Sequence, residues 1–103
     1  MQHVDVKEEH LRTLLRILRE SVPRCEVWAF GSRVSGRSRA GSDLDIVLRG
    51  PDLIPLPQLG ALREAFEESS LPFFVDILDW HAIPDSFREN IKKERILLQK
   101  GDE

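Results

Sequence analysis

Two apolar runs, Val27-Trp28-Ala29-Phe30 and Ile46-Val47-Leu48, frame a segment that opens with Gly31-Ser32 and closes, after ten further residues, with Asp43-Leu44-Asp45. The runs predict strands over 25–30 and 43–49. A small-residue turn that admits close backbone approach is thereby tied to a carboxylate pair at the head of the next strand. Side chains alternate between the two faces of a strand. Asp43, Asp45 and Val47 therefore share one face, and Leu44, Ile46 and Leu48 point into the core. Two carboxylates at this spacing can converge on one divalent ion or on two neighbouring ions, and magnesium suits a few carboxylates completed by phosphate oxygens and water. An isolated Asp-x-Asp would read as a solvated strand end; its coupling to Gly-Ser gives it weight.

Between the two ends lie Arg33, Arg37 and Arg39 and no acidic residue until Asp43. Guanidinium groups pair bidentately with phosphate, so these arginines are candidate counter-charges for a triphosphate, with Arg33 first because it follows Gly31-Ser32. Ser32 adds a hydroxyl donor and is expected to cap a short helix over 33–37, whose N-terminus offers free N–H groups. Ser42 adjoins Asp43 and is placed to orient it. A third carboxylate stands in Phe74-Val75-Asp76-Ile77-Leu78, within a strand predicted over 73–79. An aspartate inside an apolar strand is costly unless it is paired or bound to metal, the alternative being an edge-strand residue that faces water. Were this strand to lie beside the Asp43 strand, Asp76 would complete a metal site and could accept the proton of an attacking hydroxyl. Asp79, on the opposite face, is the weaker candidate.

The rest of the chain reads as scaffold. Helices are predicted over 5–21, from the spacing of Leu11, Leu14, Leu15 and Leu18, and over 57–69, from Leu59, Leu62 and Phe66. A third opens at Pro84-Asp85 with Phe87 and Ile91 inward, and a short strand follows over 95–99. The expected class is α/β (α+β): a mixed sheet of about four strands with helices packed on it, as one domain over 1–103. Trp28 and Trp80 read as packing residues, His3, His10 and His81 as surface residues, and Lys92, Lys93 and Arg95 as a solvated helix end. The lone Cys25 cannot form an internal disulfide, which fits a reducing cytoplasm and a small buried side chain. The net charge of −3 argues against a long nucleic acid duplex as partner. No segment reads as a membrane span or a signal peptide.

The composite pattern of Gly31-Ser32, Asp43-Leu44-Asp45 and Asp76 resembles the nucleotidyltransferase superfamily whose core is related to DNA polymerase beta. The Gly-Ser-Arg opening and the ten-residue spacer resemble its minimal bacterial and archaeal members. The resemblance implies that Asp43, Asp45 and Asp76 are catalytic and hold magnesium, two ions in all, and that Gly31, Ser32, Arg33 and Ser42 bind the nucleotide. It further implies a separately encoded HEPN-domain toxin as partner, with this chain the antitoxin that moves AMP from ATP to a tyrosine of the toxin. The chain has no tyrosine of its own. Two other readings remain open at the sequence level. One is a catalytically silent nucleotide-binding module that neutralises a partner by docking. The other is a small-molecule transferase of the aminoglycoside type, disfavoured by the few residues after Asp79. These leave little for an acceptor lobe, so a partner or a second copy is expected to supply that site.

Overall fold

The computed structural model describes residues 4–39 and 41–102. His3 lies outside the described residues. Helix α1 covers Glu8–Ser21 and buries Leu14, Ile17 and Leu18, with Glu8 and Glu9 at its positive end and Arg19 at its negative end. The predicted start at residue 5 is too early. The Asp5 N–H donates to the Arg33 carbonyl at 2.7 Å, a tertiary bond that competes with helix. Pro23, which lacks an N–H, follows the cap residue Val22. Strand β1 covers Glu26–Phe30, so Cys25 sits just ahead of it. Helix α2 is one turn, Ser32–Ser35. Gly31, and not Ser32, occupies its cap position, and no side chain caps it. Gly36, at φ +81°, ends it in a left-handed conformation earlier than predicted.

Strand β2, Leu44–Arg49, leads through a Pro-rich loop to α3, Leu56–Glu67, and then to β3, Val75–Asp79. A 3₁₀ turn at Trp80–Ala82, absent from the sequence reading, follows directly. Helix α4 covers Asp85–Lys93 and β4 covers Ile96–Gln99. The four strands lie in the order β3-β2-β1-β4. Strand β1 is antiparallel to both β2 and β4, whereas β2 and β3 run parallel across the α3 crossover.

The sheet has two unequal apolar faces. On the larger, Leu44, Ile46, Leu48, Val27, Ala29, Val75 and Ile77 pack against α1 and α3. On the other, Val47 meets Trp28, Trp80 and Ile91. The alternation read along residues 43–48 is therefore the observed one, and Val47 is buried in a second small core. Trp28 and Trp80 stack edge to face at 5.5 Å, the packing role expected of them. Ile91 is buried on the inner side of α4, but Phe87 remains 41% exposed, with its ring edge-on to Phe30 at 6.2 Å. The inward placement predicted for Phe87 is therefore only partly met, because α4 covers the rim of this smaller core rather than its centre.

Asp79 is a structural residue. It is buried, and its carboxylate accepts from the Ile54 N–H at 2.8 Å and the His81 N–H at 3.0 Å. Asp79→Ala would leave both donors without that acceptor, and the expected loss is roughly 2–4 kcal/mol of folding stability, measurable by denaturant unfolding. The carboxylates at the other end of the strands should be unaffected. Burial, and then the nearby Asp79 carboxylate, push the Cys25 thiol above its ordinary value, consistent with an inert core side chain. Among the described residues no helix is long and apolar enough to cross a membrane.

Candidate active site

Strand pairing brings the ends of the arm together. Phe30, the last residue of β1, lies opposite Asp45 in the antiparallel ladder, so Gly31 leaves β1 where Asp45 enters β2. Gly31 has φ +81°, which favours glycine, and a Cβ built there would fall on Oδ2 of Asp45. The Asp45 carboxylate thus lies directly over the Gly31 backbone. Gly-Ser and Asp-x-Asp, ten residues apart in sequence, form one small surface.

Asp76 joins it from the other side. In the parallel β2–β3 ladder Asp45 is the register partner of Asp76. Neighbouring strands lie about 4.8 Å apart, so the two side chains leave the same sheet face side by side. Asp43 sits one step ahead of β2 on that face. Asp45 is half-buried, whereas Asp43 and Asp76 are exposed. Burial, and then the charges of Asp76 and Asp43, raise the Asp45 carboxyl above its ordinary value.

Among the described residues no group of three His, Cys, Asp or Glu side chains forms a ready-made metal cage. The donor set is nevertheless suited to a hard divalent cation. It is all carboxylate oxygen, two of its members are exposed, and the third is destabilised in its charged form by burial and then by its neighbours. Asp43, Asp45 and Asp76 are the residues that would hold magnesium here.

The arginines divide. Arg37 and Arg39 are exposed on the arm. Arg33 is turned behind it. Its Nε and Nη2 donate to the Ser42 carbonyl at 2.9 and 2.7 Å, its Nη1 donates to the Asp5 carbonyl at 2.7 Å, and its guanidinium lies over the Phe73 ring at 4.5 Å. The Ser42 hydroxyl accepts from the Arg39 backbone N–H at 2.8 Å. Ser42 is thus held by both its carbonyl and its hydroxyl, immediately before Asp43. Asp5 was not distinguishable in sequence from any other residue of the expected first helix, yet its carboxylate also accepts from the Ser38 hydroxyl. Arg95, expected on a solvated helix end, instead lies half-buried over Trp28 at 4.0 Å, on the same sheet face as the carboxylates.

The polymerase beta nucleotidyltransferase family model matches residues 13–103, which include Gly31, Ser32 and all three carboxylates. The chain belongs to that family. It is also 40% identical over 99 residues to the probable protein adenylyltransferase MntA of Haemophilus influenzae, covering 96% of this chain and 87% of that one. Two solved structures share the fold. A toxin–antitoxin complex with AMP-PNP superposes with a TM-score of 0.75 at 20% identity, over 89% of this chain and 74% of that chain. A complex of a tri-AMPylated Shewanella oneidensis HEPN toxin with its MNT antitoxin gives 0.71 at 19% identity, over 92% and 73%. Family membership and fold agree with the α/β nucleotidyltransferase architecture that the sequence motif implied.

Proposed function

We propose that this nucleotidyltransferase moves AMP from ATP to a tyrosine hydroxyl of a HEPN-domain toxin and thereby acts as its antitoxin. The observation that carries the chemistry is the approach of the Asp45 carboxylate to the Gly31 backbone with Asp76 at its side. Phosphate-binding backbone and metal-binding carboxylates are thereby within one substrate's length of each other. The choice of acceptor is supported by the likeness to the H. influenzae protein and by the AMPylated toxin in the Shewanella complex. It also fits a chain without tyrosine.

In this reading Gly31 and Ser32 receive the triphosphate, Arg37 and Arg39 supply counter-charge from the arm, and Ser42 sets the direction of Asp43. Asp43, Asp45 and Asp76 hold two magnesium ions. Bound there, magnesium supplies neutralisation of the charge that develops on the phosphate oxygens. The acceptor oxygen attacks the α-phosphorus in line, the bond to the bridging α–β oxygen breaks, and pyrophosphate leaves. Asp76, exposed at the strand edge, takes the proton of the acceptor hydroxyl. Positioning and charge neutralisation account for most of the acceleration. The acceptor is brought by the partner in a cytoplasmic complex.

With α-labelled ATP, magnesium and a HEPN partner, label is expected on the partner, and chelation of the metal should abolish it. Persistent labelling in excess chelator would contradict the metal assignment. A stable complex without label under any nucleotide would favour the silent docking module.

A further inference from the structure

We infer that Arg33 is a positioning residue that latches the two ends of the arm together, and not a ligand of the nucleotide. Three observations converge on this. First, one guanidinium spans sites distant in sequence: two of its nitrogens hold the Ser42 carbonyl and a third holds the Asp5 carbonyl. The Ser42 carbonyl belongs to the peptide unit that delivers Asp43, so fixing it fixes where the Asp43 side chain begins. Second, the main chain of Arg33 belongs to the single turn α2 that Gly31 opens, and its carbonyl is held by the Asp5 N–H. Both ends of the arm are thus tied to one residue and braced by one strap, while Arg37 and Arg39 between them are exposed.

Third, the guanidinium lies on the wrong side of the sheet for a phosphate ligand. It covers Phe73, which packs against the α1–α3 core. The carboxylates leave the opposite face, the one that carries Val47 and Trp28. To meet a triphosphate at Gly31, Arg33 would have to abandon charge-assisted hydrogen bonds and its aromatic seat. Lysine cannot replace it, since an ammonium is a point charge on a flexible stem and cannot span the same carbonyls in a planar fork.

The kinetic half of the test rests on the nucleotidyl-transfer reading; hydrogen exchange supplies a readout that does not. Arg33→Lys is expected to lower kcat about 10²-fold, the usual consequence of a misplacement near 1 Å, while the nucleotide KM stays nearly unchanged. Amide exchange should rise in peptides covering Gly31 to Asp43 and stay unchanged in α1 and β1. Phe73→Leu, which keeps charge and carbonyls but removes the ring under the guanidinium, should show a weaker form of both effects. Its combination with Arg33→Lys should be less than additive. Should Arg33→Lys fail to fold, Phe73→Leu decides by the same readouts.

A raised KM with kcat retained would make Arg33 a phosphate ligand and overturn the latch. A uniform rise in exchange with unchanged kinetics would reduce it to a contributor to fold stability and overturn it equally. If the wild-type protein transfers no nucleotide, the functional reading fails, and the exchange contrast alone then upholds or rejects the latch.

Discussion

Asp45→Asn is expected to reduce nucleotidyl transfer by about 10³-fold or more, because it removes the central charge of the site while leaving its shape. Asp45 is the one carboxylate in register with Asp76 and in contact with the Gly31 backbone, so no neighbour can take its place. Folding should not suffer. The folded protein raises the Asp45 carboxyl above its ordinary value, so at neutral pH its charged form opposes folding. The sign follows from proton binding. Between the ordinary and the raised value the folded state holds more of the proton than the unfolded state does. The wild-type protein therefore gains stability as pH falls through the raised value, and it lacks that gain at neutral pH. Without added metal, Asp45→Asn should melt slightly above wild type at pH 7, and the gap should narrow as pH falls into the carboxylate range. A variant that melts well below wild type at pH 7 would contradict this account of the site's electrostatics.

The second large effect is expected at Gly31. Gly31→Ala combines two costs. Alanine at φ +81° is strained by about 1–3 kcal/mol, and its methyl group would clash with Asp45 Oδ2. One or the other must move, and either displacement separates the Gly31 turn from the Asp45 carboxylate. Transfer should fall about 10²-fold or more, with a lowered melting temperature that distinguishes it from Asp45→Asn. Gly36 provides the control. It too has a positive φ, but in the milder left-handed helical region, and a Cβ there meets nothing within 4 Å, so Gly36→Ala should carry a smaller backbone strain and displace no carboxylate.

The parts of this architecture that could be read from the sequence are those in which chemistry and periodicity coincide. Leu44, Ile46 and Leu48 alternate with Asp43, Asp45 and Val47, so one strand announced both its core face and the face that carries the carboxylates. Asp76 stood out as a carboxylate within an apolar run, yet it is exposed on the edge strand β3 and bears no burial cost; its place beside Asp45 comes from the parallel register of β2 and β3, which no local pattern records. The family resemblance drew on these same residues. The parts that could not be read depend on partners far away in the chain. The start of α1 is set by a hydrogen bond between Asp5 and Arg33, and no local pattern near residue 5 records it. The place of Arg33 is set by Ser42 and Phe73, and arginine after Gly-Ser looks the same whether it faces a phosphate or a carbonyl. Alternation along the strand puts Asp79 on the face opposite Asp76, but its acceptance from the Ile54 and His81 amides is a loop geometry that alternation does not specify.

The measurement that bears most directly on the central claim is intact-mass spectrometry of a HEPN-domain partner after incubation with this protein, ATP and magnesium, beside a parallel reaction with Asp45→Asn. The account predicts a mass gain of one or more AMP units on the partner, mapped to tyrosine by peptide fragmentation and absent with the variant. An unmodified partner in a stable complex with the wild-type protein, or equal modification by Asp45→Asn, would contradict it.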